Sequence, residues 1–243
     1  MSQKIKLLIS PKNVTEAKIT ILSGVDYIDC KNPEEGSLGA NFPWIITQMK
    51  ELIPLNSHQK LSATIGDFPY LPGSASLAAL GAAFSGADII KVGLKGPKNL
   101  EEGIRMMKKV VKAVKDFNKE IKIVAAGYAD QKKLKKSLDP FLIPIIASES
   151  GSDIAMLDTY FKDGSNLFDF LNEDQLLEFN SLGKEHGVQV ALAGNLRINN
   201  ISQIKNVSPD IIGVRSIVCN NYDRVNGEIQ EKLIEELKHE LYK

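Results

Sequence analysis

Eight short β-like runs, most of them followed by a stretch of helical periodicity, succeed one another from end to end of this chain and leave few architectures open. They are KLLIS (6–10), YIDC (27–30), LSATI (61–65), DIIKV (88–92), KIVAAG (122–127), DIAMLD (153–158), VQVALAG (188–194) and DIIGVR (210–215). Between them apolar residues recur at helical spacing, as Leu100, Ile104, Met107, Val111 and Val114 do within 99–117. The closing segment 227–241 repeats that period with Ile229, Leu233, Leu237 and Leu241. Such alternation, without a Pro- or Ser-rich linker, predicts a parallel sheet covered by helices, an α/β fold. Eight units of about 30 residues are what a (β/α)8 barrel requires, so residues 1–243 are read as a single TIM-barrel domain.

A faint internal repeat sharpens this expectation. GVDYIDCK (24–31), GADIIKVG (86–93), GSDIAMLD (151–158) and SPDIIGVR (208–215) align on Asp26, Asp88, Asp153 and Asp210, which lie 62, 65 and 57 residues apart. Each interval spans two strand–helix units, so the aspartates open the second, fourth, sixth and eighth strands. Interior layers of such a barrel draw their side chains from alternate strands. The alignment therefore predicts a layer of Asp29, Lys91, Met156 and Gly213. The next layer, about 6.6 Å further along the strands, holds Lys31, Gly93, Asp158 and Arg215. Charged residues thus gather at the C-terminal mouth, where barrel enzymes carry their chemistry. A network of charges that merely satisfy one another is the alternative, but buried charges are rare and seldom a gain in stability.

The residue types suit carbonyl chemistry. A lysine in a partly dry pocket beside other cations loses proton affinity, and a neutral amine attacks a carbonyl to form a Schiff base. Lys31 and Lys91, with Arg215 near them, fit a nucleophile and a proton acceptor. Asp29 and Asp158 supply carboxylates for proton transfer. Lys162, in DTYFKDG beyond the sixth strand, is within reach of the mouth from its loop. A phosphate site is suggested separately by AGN (193–195) and VRS (214–216), which follow the seventh and eighth strands. These are the loops that bind phosphate in this fold, and Gly194, Arg215 and Ser216 are its candidate residues. The Gly- and Pro-rich stretches GSLGANFPW (36–44) and GDFPYLPGS (66–74) read as mouth loops that form a lid or a substrate wall, or else as packed turns. Tyr128 and Asp130 face the same mouth.

Composition narrows the partners. Lys plus Arg equals Asp plus Glu, 30 against 30, so no global field attracts nucleic acid or an acidic membrane. The lysine run at 132, 133, 135 and 136 lacks interleaved aromatics and reads as solvated surface. Cys30 and Cys219 are far apart, and His58, His186 and His239 neighbour no other ligand, so neither a metal site nor a cofactor is expected. Nothing approaches a membrane-spanning run or a secretory leader. A reduced, cytoplasmic enzyme working on a small molecule is the expectation, and the residues leave homo-oligomerisation open.

Several stretches resemble a known family. KLLISP, DCKNPEEGSLGANFPW, SATIGDFPYLPG, SLAALGAAFSGADIIKVGL, VAAGYAD, DPFLIPIIA, AMLDTYFKDG and ALAG are similar to those of the (5-formylfuran-3-yl)methyl phosphate synthases of methanofuran biosynthesis. The likeness runs from about residue 5 to the last helix, and KNPxEGSLGANFPW is long enough to be specific. It implies a (β/α)8 lyase that condenses two glyceraldehyde 3-phosphate molecules to a furan aldehyde phosphate, releasing phosphate and water. By this resemblance Lys31 is the Schiff-base residue and Lys91 the proton acceptor, with Asp29, Asp158 and Lys162 also implicated. Two departures are Cys30, which should point away from its neighbours, and the bulky Tyr160–Phe161 pair, which bears on where Lys162 sits. Two phosphorylated substrates imply two anion sites, of which the residues indicate one. Another class I aldolase, or a barrel that only binds a phosphometabolite, is the rival reading.

Overall fold

The computed structural model describes residues 4–134 and 137–243. Eight parallel strands close in chain order: β1 Lys6–Ile9, β2 Tyr27–Cys30, β3 Lys60–Pro69, β4 Ile89–Gly96, β5 Lys122–Tyr128, β6 Ile154–Asp158, β7 Gln189–Leu192 and β8 Ile211–Val214. Each is followed by a helix: α1 Val14–Leu22, α2 Pro43–Leu52, α3 Pro72–Phe84, α4 Leu100–Phe117, α5 Ile143–Ser150, α6 Glu173–Glu185, α7 Ile201–Val207 and α8 Glu231–Tyr242. The expected (β/α)8 barrel is the observed fold. Most strand residues are buried, since one face meets the barrel interior and the other meets helices. One apolar cluster fills the layer between sheet and helices. A second, with Leu8, Tyr27, Val124, Ile154, Met156 and Ile211, fills the barrel itself.

Helix α4 shows how local sequence sets an element. Asn99 caps it by accepting the Glu102 N–H, and Met106, Met107, Val110 and Val114 form its buried stripe. The last helix departs from the expected 227–241. It begins at Glu231, because Ile229 instead makes an antiparallel bridge with Cys219. Of the lysine run, Lys132 and Lys133 are exposed, while Lys135 and Lys136 fall outside the described residues.

The four repeated aspartates share one structural task at the N-terminal end. Each carboxylate accepts a backbone N–H from the strand before it: Asp26 from Leu7 at 2.9 Å, Asp88 from Leu61 at 2.8 Å, Asp153 from Ile123 at 2.8 Å, Asp210 from Val190 at 2.7 Å. Each carbonyl in turn accepts the first N–H of the strand after it, from Lys60, Lys122, Gln189 and Lys6. One residue therefore ties three strands together, and this recurs at every second strand.

Strand β3 corrects the loop expected at 66–74. It runs on to Pro69, and Pro72 already opens α3. Its pairing with β4 slips by a residue, from Thr64 opposite Lys91 to Asp67 opposite Gly93. A regular strand would aim residue 66 inward after 62 and 64; the bulge aims Asp67 there instead.

Candidate active site

Asp29 and Lys91 lie side by side inside the barrel, as the layer alignment predicts. Lys91 Nζ is 2.6 Å from Asp29 Oδ2, and both side chains are 1% exposed. Ser10, at the end of β1, donates to the same carboxylate oxygen at 2.8 Å. The other oxygen, Asp29 Oδ1, is buried without a hydrogen-bond partner among the described residues. Burial works to raise the Asp29 carboxyl, but the charges of Lys91 and Lys31 and its hydrogen bonds outweigh it and hold the group below its ordinary value. Met156 and Gly213 complete this layer: a Cβ at Gly213 would lie 3.8 Å from Met156 Cε.

One step higher, Lys31 is buried at 7% exposure. Its amine makes no hydrogen bond or ion pair with the described residues. Burial lowers its pKa to about 7, with Lys91 and Lys162 acting in the same direction and Asp158 and Asp29 opposing. Its backbone is set by the segment that follows. Asn32 caps the short turn 33–35 and donates its own N–H to Gly39 at 2.9 Å, while Ser37 reaches across the mouth to the Thr159 carbonyl at 2.8 Å. Leu38 is thereby buried in the barrel cluster, so this segment is a packed wall.

Asp158 faces Lys31 from β6. Lys162 returns from its loop to meet it at 2.9 Å and also donates to the Thr159 carbonyl at 2.6 Å. Burial tends to raise the Asp158 carboxyl, yet Lys162, Lys31 and the Thr159 N–H overcome that and bring it to about 2. With the bulky pair before it, Lys162 reaches Asp158 all the same. Asp130 accepts the N–H groups of Tyr160 and Phe161, each at 2.8 Å, and so fixes that turn. Cys30 is fully buried in the cluster outside the barrel, away from Asp29 and Lys31.

The fourth member of the upper layer, Gly93, leaves a slot that another residue fills. A Cβ there would lie within bonding distance of Asp67 Oδ1 and 3.1 Å from the Tyr128 hydroxyl. Tyr128 donates to Asp67 Oδ2 at 2.6 Å. Asp67 is thus a third mouth carboxylate, raised by burial, that sequence reasoning missed. The GDFP motif was visible, but only the bulge turns it inward.

Arg215 is where the structure departs most from expectation. The chain leaves strand geometry at this residue (φ −141°, ψ −64°), and although Arg215 still lines the pocket, its guanidinium turns toward α1. It pairs with Glu16 at 2.8 Å and donates to the carbonyls of Ser10 and Arg224, each at 2.7 Å. Four of its five N–H groups are spent on protein, so it is not the bidentate phosphate ligand expected. Gly194 and Ser216 line the pocket with Arg215, Asp29, Lys31 and Lys91. Gly194 (φ 111°) and Asn195 (φ 49°) turn the backbone in left-handed geometry, and at a glycine the backbone can approach a ligand closely. Arg224, from the loop after β8, lines the same pocket.

Among the described residues no group of three His, Cys, Asp or Glu side chains is placed to hold a metal ion, and no helix is long and apolar enough to cross a membrane.

Comparison with known proteins identifies the family. A family model described as 4-HFC-P synthase matches residues 7–238. A (5-formylfuran-3-yl)methyl phosphate synthase of Methanococcus aeolicus is 52% identical over 231 residues, covering 95% of this chain and 97% of that protein. The protein of the same name from Methanocaldococcus jannaschii is 50% identical, over 96% of this chain and 97% of its own length. Among solved structures, a 3-hexulose-6-phosphate synthase superposes with a TM-score of 0.68 at 15% identity, covering 98% of this chain and 100% of that one. At that identity the likeness speaks for the barrel alone.

Proposed function

Because this chain belongs to the 4-HFC-P synthase family, we propose that it condenses two molecules of glyceraldehyde 3-phosphate into (5-formylfuran-3-yl)methyl phosphate through a Schiff base on Lys31. The setting is methanofuran biosynthesis in the cytoplasm, with no cofactor. The observation that carries the mechanism is the contrast among three amines. Lys91 and Lys162 each hold a carboxylate partner, whereas Lys31 is buried, unpaired and about half neutral at pH 7. Only a neutral amine attacks a carbonyl.

In this scheme Lys31 Nζ adds to the carbonyl of one triose phosphate and expels water, and the resulting iminium is the electron sink. The neighbouring C–H proton goes to the Asp29–Lys91 pair. Lys91 is the acceptor in its neutral form, and Asp29, 2.6 Å away, stabilises the ammonium that results. The electron pair left behind expels phosphate from the next carbon and later forms the bond to the second triose. Asp158 and the Lys162 ammonium suit the closing loss of water, one accepting a proton from carbon while the other protonates the departing hydroxyl. Mass balance leaves one phosphate and two waters per furan. The hollow at Gly194, Asn195 and Ser216 receives the phosphate of the imine-bound molecule.

Purified protein with glyceraldehyde 3-phosphate should generate an absorbing furan aldehyde. Borohydride added during turnover should leave a mass adduct on the peptide containing Lys31. Cleavage of some other phosphosugar without a furan product would instead favour a different Schiff-base aldolase.

A further inference from the structure

The pocket over Lys31 is small, about 40 Å³, which is room for a few water-sized groups. It takes the reacting end of one molecule. A second space opens directly beside it, a groove of about 960 Å³ between the loops after β6, β7 and β8. That is the size range of a ligand site. Lys162, Asn195, Ser216 and Arg224 line both spaces and form their boundary.

Of the two cations at that boundary, Lys162 is engaged by Asp158. The Arg224 guanidinium makes no hydrogen bond with the described residues, although it is half-buried. The loop that carries it is strongly organised. Arg215 donates to the Arg224 carbonyl at 2.7 Å, and Lys12 to the carbonyls of Val225 and Gly227 at 3.0 and 3.2 Å. Two cations therefore fix three carbonyls around one unpaired guanidinium. The groove also holds Arg197, while its carboxylate, Asp223, is consumed by the N–H groups of Val225 and Asn226 and the Asn226 amide. Two guanidiniums, Arg197 and Arg224, stand against that one carboxylate, so positive charge is left over in a groove that adjoins the Lys31 pocket.

We infer that this groove holds the second phosphorylated molecule, that Arg224 binds its phosphate, and that Arg215 positions Arg224 through its carbonyl. The inference rests on the two-substrate reading above. It turns the Arg215 expectation around: the residue serves a phosphate through its neighbour, held from behind by Glu16.

The test separates the two half-reactions. Arg224→Gln and Arg224→Lys are incubated with glyceraldehyde 3-phosphate, and both borohydride trapping on Lys31 and furan output are measured. Trapping should stay near the parent level while furan output at low substrate falls about 10- to 100-fold in the glutamine variant, the worth of a charge-assisted hydrogen bond. The lysine variant should recover part of that loss, and it serves alone should the glutamine variant fail to fold. Normal furan output in both variants would overturn the inference. So would a parallel loss of trapping, which would assign Arg224 to the first molecule. Absence of trapping in the parent enzyme would instead sink the imine reading itself.

Discussion

The two ends of the even-numbered strands differ in a way that separates folding from chemistry. At the N-terminal end Asp26, Asp88, Asp153 and Asp210 do the same thing four times, each accepting a backbone N–H and bridging the flanking strands. Five residues further on, toward the C-terminal ends of the same strands, stand Lys31, Gly93, Asp158 and Arg215, no two alike and no two with the same partners. Repetition suits a demand that recurs around a closed sheet: every strand start has an N–H to satisfy. A reaction makes unequal demands, so the mouth is unequal. Substitutions at the two ends should therefore fail in different ways.

The largest effect is expected for Lys31→Met. Furan formation should be abolished, yet thermal unfolding at pH 7 should occur at the same or a higher temperature. Burial holds the Lys31 pKa at about 7, below the roughly 10.4 of an unfolded lysine. Folding therefore releases a proton. The resulting penalty is full below pH 7 and fades as pH rises toward the unfolded value, with an upper bound on the order of 4 kcal/mol. Removing the amine removes that penalty, while Asp29 and Asp158 keep Lys91 and Lys162 as partners. A lower melting temperature would mean that Lys31 is structural.

Asp29→Asn should lose both properties. It strands the Lys91 ammonium in the barrel, and breaking a buried pair from one side costs about 3–5 kcal/mol. Turnover should fall by about 10²–10⁴ as proton transfer loses its partner. Denaturant titration and furan assays on the same preparation check both. A variant of parent stability would show that water reaches Lys91.

Much of this comparison was legible before any coordinates. Period-2 strands and one repeated aspartate located all eight strands and placed Asp29 with Lys91 and Lys31 near Asp158. What the aspartates do was not legible, because their partners are backbone groups of other strands. Arg215 misled for a physical reason. Strand alternation predicts direction only while strand geometry lasts, and its partner Glu16 stands 199 residues away on α1. Asp67 was hidden by the β3 bulge, which depends on how β3 registers against Gly93. Arg224 gave no signal, since its loop is ordered by Lys12 and Arg215 from distant parts of the chain.

At the lower end, Asp153→Ala should show the reverse of Lys31→Met. It removes the acceptor for the Ile123 N–H and the partner of Lys115 at 3.1 Å. An unpaired strand N–H costs about 1–3 kcal/mol, so the melting temperature should drop by several degrees. Turnover per folded molecule, measured well below melting, should stay within about twofold, a change worth less than roughly half a kcal/mol. A larger catalytic loss would show that the two ends are mechanically coupled.

The finest test is a pH profile. Imine formation followed by borohydride quench at short times should fall about tenfold per unit below pH 7 and level off above it, as the neutral fraction of Lys31 dictates. Among the opposing charges, Asp158 contributes most to holding the Lys31 proton. Asp158→Asn should therefore move the bend to lower pH. Asp153→Ala, with its carboxylate at the far end of the same strand, should leave the bend in place. A bend near 10 in the parent would mean that the amine titrates as if in water, and the distinction between a dry, unequal mouth and a repetitive, structural base would lose its chemical half.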